Sequence, residues 1–249
     1  MYIWKCWRET RYRFIVFLAL NFVCLLAFAK VIFAHGVMGL YPQPHKLMPL
    51  EVRFLLPQYL FGILSCFSLT AIAAAFVLGS TSVGGELENG TAEYLWTRPQ
   101  KRSSFVWWHS FVCAVEILSL VEIPSLLVFL FFGIRFGIWE DWYLLILAPI
   151  CAVVASLFLG LTVFMTAIRK SSVSGLIFSL GVMFAYIGTA FYFDSYTKIR
   201  IPEFTFPFLK WSAFFLEPSG FPWWAFTRIA IVSLLFILFA QKLMNRAEV

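Results

Sequence analysis

The feature that most constrains this chain is its series of apolar runs, several of which exceed the roughly 20 residues that a helix needs to cross a bilayer. Only 13% of its residues are charged, against about 25% in a typical soluble domain. Strands of transmembrane barrels alternate apolar and polar residues over segments of about 10, and these runs do not alternate. The sequence therefore predicts an all-α polytopic membrane protein that forms a single transmembrane domain over residues 1–249.

The apolar runs predict six transmembrane spans, at about residues 14–33, 56–83, 105–132, 142–168, 175–193 and 223–241. Residues 1–13 mix four basic residues with two tryptophans, which predicts an amphipathic segment at the membrane interface. A cleaved signal peptide is the alternative for this region, although the first run is longer than the usual 7–15 residues of such a peptide.

Residues 194–222 alternate aromatic residues with prolines, a pattern too broken for a span and too apolar for a free loop. The pattern predicts a short outer interfacial helix around Pro207–Leu216, and an outer cap that plugs the bundle is an equal alternative. Two groups of small residues, in Leu69–Ala75 and at Gly181, Ala185 and Thr189, predict faces on which helices pack closely.

The formal charge of +6 gathers at the ends of the apolar runs, which favours a role in membrane orientation over nucleic-acid binding. Six spans place both termini on one side, and that side holds 11 Lys and Arg residues against 8 on the other. Since basic residues near the first span often dominate orientation, both termini are predicted to be cytoplasmic.

Few residues suit catalysis or metal binding. The chain has no GxxxxGK[ST] phosphate loop, no HExxH motif and no GxSxG motif. His35, His45 and His109 are far apart in sequence, and two histidines in one loop do not make a zinc site. Four of the five cysteines (Cys6, Cys24, Cys66, Cys113 and Cys151) lie in apolar runs, which is typical of small buried side chains. No metal site is predicted.

Two carboxyl groups, those of Glu116 and Glu122, lie deep in the third span. Carboxylates at that depth are costly and normally face a polar interior or a partner. Six residues apart, they point about 120° from one another on a helix, so they are not one paired site. Each either lines a polar or proton-linked pathway, or is a protonated group that bonds across helices or to a carbonyl that Pro124 frees.

The stretch between the second and third spans, residues 84–102, carries a motif. It reads Glu86-x-Glu88-x-Gly90-Thr91-x-Glu93-x-Leu95, followed by Arg98-Pro99-x-x-Arg102. This pattern resembles the loop after the second span of ABC-2-type permeases, the membrane subunits of ABC exporters. The basic N-terminal segment, the six spans and the aromatic segment before the last span are also similar to that family. The third span departs from it, because Trp107-Trp108-His109 stands where the family often has a lysine.

The resemblance implies a membrane permease without enzymatic activity of its own, in a bacterial cytoplasmic membrane. It implies pairing with a second permease chain and coupling to a separate ATPase, on which ATP and Mg²⁺ are the cofactors; this chain needs none. The segment 84–102 would be the coupling segment. Gly84 and Gly85 would end the second span, with Glu86 and Glu88 at the start of a coupling helix. The docking residues implied are Glu86, Leu87, Glu88, Gly90, Thr91, Glu93, Tyr94, Leu95, Arg98, Pro99 and Arg102.

Two other functions stay open on the sequence. One is a membrane-embedded enzyme that acts on lipid, and the other is a channel or secondary transporter that uses Glu122 without a partner. No nucleic-acid partner is expected.

Overall fold

The computed structural model describes residues 2–34, 50–88, 102–136, 143–192 and 223–246, and this part of the chain is helical throughout apart from one turn. The helices are α1 Tyr2–Ala34, α2 Leu50–Glu88, α3 Arg102–Phe136, α4 Tyr143–Arg169, α5 Ser172–Tyr192 and α6 Trp223–Arg246. Five of them contain segments long and apolar enough to cross a membrane: Ile3–Ala27, Gly62–Thr81, Ser104–Phe131, Ala148–Arg169 and Phe226–Met244. In α5, the corresponding apolar segment is the shorter Ser172–Tyr186.

The helices alternate in direction. Arg13 of α1 reaches Thr81 near the end of α2, whereas Lys5 lies over the ring of Phe105 at the start of α3. The helices α2, α4 and α6 run parallel to one another, because Ser68 contacts Cys151 and Phe76 contacts Phe158, and because Ser156 and Phe164 of α4 contact Ser233 and Phe239 of α6. The starts of α1, α3 and α5 and the ends of α2, α4 and α6 therefore share one end of the bundle.

That end is rich in positive charge, and it is called the basic end below. Nine basic residues of the described helices and the turn after α4 lie at or near this end: Lys5, Arg8, Arg11, Arg13, Arg102, Arg169, Lys170, Lys242 and Arg246. Four lie towards the opposite end: Lys30, Arg53, Arg135 and Arg228.

The core lies around α4, which packs against α2, α3, α5 and α6. Small residues allow the closest contacts. A Cβ added at Gly160 would lie 2.7 Å from the backbone oxygen of Ser233, and one added at Gly175 would lie 2.4 Å from Cγ2 of Thr166. The turn from α4 to α5 is equally tight, with Lys170 at a φ of 52°.

Two predicted helix boundaries differ from the structure. The interfacial segment 1–13 and the first span form one continuous helix, α1, because no proline or glycine interrupts residues 2–34. The second helix also begins earlier than predicted, at Leu50, and continues past Val83 to Glu88. Gly84 and Gly85 do not end it, since a glycine inside a helix costs only about 1 kcal/mol relative to alanine.

The two predicted small-residue faces have different environments. Ala71, Ala74 and Ala75 are fully buried, which confirms close packing on α2. On α5 no close packing is seen among the described residues, because Gly181 is exposed and a Cβ added there would meet nothing within 4 Å. Ala185 and Thr189 are exposed as well. The small residues repeat at helical spacing, but no described helix covers the face on which they lie.

Candidate functional site

The predicted coupling segment, residues 84–102, begins inside the end of α2 and finishes at the first residue of α3, and both of these helix ends lie at the basic end of the bundle. Glu86, Leu87 and Glu88 belong to the last turn of α2, so Glu86 and Glu88 are not at the start of a separate helix. Arg102 is the first residue of α3. The other predicted docking residues (Gly90, Thr91, Glu93, Tyr94, Leu95, Arg98 and Pro99) lie outside the described residues, as do the outer segment 194–222 and the histidines His35 and His45.

A line of polar contacts, here named the polar seam, joins α1 to α2 and α3 inside the apolar bundle. It consists of Thr10, Arg13, Asn21, Thr70, Thr81, Glu116 and the carbonyl group of Leu120. Asn21 is fully buried and lies at its centre. The Asn21 Nδ2 atom donates to the Leu120 oxygen at 2.8 Å, and the Thr70 hydroxyl donates to Asn21 Oδ1.

The contact with Leu120 has a specific cause in the sequence. Pro124 lies inside α3 and has no N–H group, so the carbonyl four residues earlier loses its helical partner. That carbonyl is the one on Leu120, and Asn21 satisfies it. A glutamate of α3 is one predicted partner for this freed carbonyl, but the side chain that bonds it comes from α1.

Glu116 is buried against α1. Its Oε1 atom shares a hydrogen bond with the hydroxyl of Thr10, and its Oε2 atom is buried without a partner among the described residues. Thr10 also has the carbonyl oxygens of Cys6 and Trp7 within reach, at 3.1 and 3.4 Å. A hydroxyl carries only one proton. If Thr10 donates it to its own helix, as threonines in helices commonly do, a protonated Glu116 must donate to Thr10.

Glu122 occupies a different side of α3, as its spacing from Glu116 predicts. It is partly exposed, and its neighbours one turn away on either side, Leu118 and Leu126, are 39% and 42% exposed. Its Oε2 atom has no partner within the described residues. The two carboxyl groups therefore have different surroundings: Glu116 bonds to α1, and Glu122 lies at an outward apolar face.

His109 and the cysteines also lie in this region. His109 is 2% exposed, its ring is 5.7 Å from that of Phe105, and neither ring nitrogen has a partner among the described residues. All five cysteines are free thiols, of which Cys6, Cys113 and Cys151 are buried. Within the described part of the chain, no three His, Cys, Asp or Glu residues are placed to hold a metal ion.

Sequence reasoning missed the α1 members of the polar seam, Thr10 and Asn21. One signal could have identified Asn21, because it is the only amide in the otherwise apolar run 14–29. A polar side chain at that depth is expected to bond to a neighbouring helix. Thr10 gave no such signal, since it lies among charged residues.

No protein-family model, curated protein or solved structure matches this chain. Its function is therefore inferred from the geometry of the described helices and from the sequence motif between α2 and α3.

Proposed function

We propose that this chain is the membrane-spanning permease subunit of an ATP-driven ABC exporter, with the segment 84–102 as the docking element for a separate ATPase. The observation that carries the proposal is the position of the motif, which connects α2 to α3 at the basic end. Basic residues mark the cytoplasmic side of membrane proteins. A cytoplasmic ATPase would meet the motif at this end.

The continuity of α2 supports a mechanical role for the docking segment. Because α2 has 39 residues without a break, it is about 58 Å long. A push on its last turn, at Glu86–Glu88, would travel along one continuous helix towards the far side of the bundle. The bond between Thr70 and Asn21 would carry the same movement to α1, and the bond from Asn21 to Leu120 would carry it to α3.

The proposed topology has six spans, with α5 as the fifth. At 21 residues, α5 is about 31 Å long, which matches a hydrocarbon core of about 30 Å. Both termini would then be cytoplasmic in a bacterial inner membrane. Cysteines introduced at His45 and Gln100 test this orientation: a membrane-impermeant thiol reagent added outside intact cells should label position 45 and not position 100. Outside labelling of position 100 would reject the topology.

The ATPase partnership is tested by co-purification. The full-length chain, extracted in mild detergent, should carry an ATPase bearing a phosphate-binding loop, whereas the isolated chain should hydrolyse no ATP. The double variant Tyr94→Ala/Leu95→Ala should lose the ATPase, since aromatic and large apolar residues dominate interfaces. The matched control is Leu234→Ala/Leu238→Ala, an exposed apolar pair on α6, which should retain it. Equal recovery of the ATPase with both double variants would contradict the proposal.

A second candidate is a channel or secondary transporter that works without an ATPase. The observation that favours it is Glu122, a carboxyl group in the middle of an apparent span with an unpartnered oxygen. Intramembrane carboxylates often mark ion or substrate pathways. Reconstitution separates the two functions: ion flux through vesicles that contain this chain alone, abolished by Glu122→Gln, would favour the second candidate over the first.

A further inference from the structure

One face of α1 is uncovered by the other described helices and changes character along its length. Near the basic end it carries Trp4, Arg8 and Tyr12, all exposed. It continues with exposed apolar side chains, namely Ile15, Val16, Ala19, Val23 and Leu26. This surface, named the outer face of α1, thus has a cationic, aromatic part followed by an apolar part.

The four basic residues near the start of α1 divide into two pairs. Two of them bond within the bundle: Arg13 Nη1 donates to Thr81 Oγ1 at 2.6 Å, and Lys5 forms an ion pair with Glu9 at 3.5 Å. The other two, Arg8 and Arg11, are one helical turn apart on the outer face. Arg8 is exposed and has no bonding partner within the described residues.

Arg11 is held on the outer face by its neighbour. Its guanidinium carbon lies 4.8 Å from the centre of the Tyr12 ring, and Nη2 donates to the Tyr12 hydroxyl at 3.1 Å. Tyr12 is 67% exposed, so this contact fixes the guanidinium group at the surface. The Arg11 Nε atom is buried and has no partner among the described residues, so donation to an outside ligand comes from the terminal nitrogens of the guanidinium group. An arginine that is pre-positioned in this way loses less side-chain entropy when it binds an anion.

We propose that Arg8 and Arg11 bind the headgroup phosphate of an anionic phospholipid. Two guanidinium groups one turn apart can donate several hydrogen bonds to phosphate oxygens. The lipid's acyl chains would lie along the apolar continuation of the same face, on Ile15, Val23 and Leu26. Trp4 and Tyr12 have the amphipathic rings that are enriched at headgroup level. The ligand would come from the surrounding leaflet, so the site stands whether or not the chain couples to an ATPase.

The test measures lipid retention by native mass spectrometry of the full-length chain in detergent. Phosphatidylglycerol and phosphatidylcholine with the same acyl chains are added in equal amounts. A basic residue near an anionic membrane surface contributes about a fivefold preference, so two correspond to roughly 30-fold. The wild-type chain should retain phosphatidylglycerol in preference to phosphatidylcholine by about this factor. The double variant Arg8→Gln/Arg11→Gln should retain the two lipids equally. Arg8→Lys/Arg11→Lys should keep most of the preference, because both charges remain.

Two controls make the result specific. Lys242→Gln removes an exposed charge at the same end of the bundle, on α6, and should leave the preference unchanged. Inorganic phosphate at millimolar concentration should not displace the bound lipid, because it offers no acyl chains. The proposal is overturned if the double glutamine variant keeps the wild-type preference, if Lys242→Gln removes as much of it, or if inorganic phosphate abolishes retention. If the double variant fails to fold, the single variants Arg8→Gln and Arg11→Gln test the proposal in its place. Each should lower the preference for phosphatidylglycerol about fivefold.

Discussion

Asn21 on α1 donates its side-chain amide to the backbone oxygen of Leu120 on α3, the carbonyl that Pro124 leaves without a helical partner. The proline and the asparagine are far apart in sequence, but the bond between Asn21 and Leu120 removes the energetic cost that an unpaired polar group would have in an apolar bundle. Pro124 creates an unpaired acceptor, and Asn21 brings a donor that would otherwise be unpaired too. The polar seam therefore begins with a backbone defect in α3 and joins three helices around it.

Asn21→Leu should destabilise the protein. The change removes the bonds to Leu120 and Thr70 and leaves the Leu120 carbonyl without its partner, whereas the Thr70 hydroxyl keeps the Phe67 carbonyl of its own helix at 2.9 Å. Interhelical hydrogen bonds in membranes contribute about 0.6–1.7 kcal/mol each, so we expect a loss of about 1–3 kcal/mol in the free energy of unfolding. Unfolding in mixed detergent micelles measures it. Ser119→Ala is the control, because the Ser119 hydroxyl bonds only the Val115 carbonyl of its own helix, and it should change stability little.

The contact between Thr10 and Glu116 should depend on hydrogen bonding and not on a negative charge. Glu116→Gln keeps both donor and acceptor capacity, so we expect stability within about 1 kcal/mol of wild type. Glu116→Leu and Thr10→Val should each cost more, and together they should cost less than their sum, because each removes the same bond. A double-mutant cycle on the unfolding free energy checks this. Strict additivity of the two changes would show that the bond contributes nothing.

Two glycines should respond in opposite ways to alanine. Gly160→Ala places a Cβ 2.7 Å from the Ser233 backbone oxygen, so α4 and α6 must move apart. Overpacking of this kind typically costs about 1–3 kcal/mol. Gly181→Ala meets nothing within 4 Å and should stabilise α5 by up to about 1 kcal/mol. Thermal unfolding of the two purified variants compares them, and a destabilising Gly181→Ala would indicate that another chain packs on this face.

Cys24 of α1 and Cys66 of α2 should form a disulfide on oxidation. Both thiols are free, and the two side chains are neighbours between α1 and α2. We expect copper–phenanthroline to link them within the full-length chain, with a mass decrease of about two hydrogens, because a disulfide needs thiols already this close. Mass spectrometry after digestion identifies the pair. The variant Cys24→Ser should lose the linked peptide, and a preferred link from Cys66 to any other cysteine would contradict the packing of α1 on α2.

Glu122→Gln should separate stability from function. The Glu122 carboxyl group has an unpartnered oxygen and lies on a partly exposed face, so its neutral isostere should fold as well as the wild type. If Glu122 lines a pathway, as the proposed transport function allows, the variant should lower the ATPase rate of the purified complex. Unfolding and ATPase rate are measured on the same preparation. No change in either would remove Glu122 from the mechanism.

Much of the fold follows from hydropathy, but the contacts between helices do not. The bounds of α4, Tyr143–Arg169, agree with the predicted span 142–168, because basic residues and a turn end the apolar run. Periodicity also places Ala71, Ala74 and Ala75 on one face. It does not reveal which helix covers that face, or that the described helices leave the face of Gly181 uncovered.

Within the candidate site, the depths of Glu116 and Glu122 follow from their positions in the third span. Their different surroundings depend on where α1 packs, and the sequence of α3 does not indicate where that is. The docking role of residues 84–102 stays a prediction, since most of that segment lies outside the described residues.

The central position of α4 also bears on how the protein is made. Translation proceeds from α1 to α6, and α6 covers the face of α4 that holds Gly160 and Phe164. Until α6 leaves the ribosome, that face has only lipid or an insertion factor beside it. Because α6 follows α4 in the chain, the packing of the central helix is complete only after α6 has been made. In a chain truncated after α5, the face of α4 that α6 normally covers is exposed within the membrane. Membrane proteases that degrade misassembled proteins would then meet this exposed face.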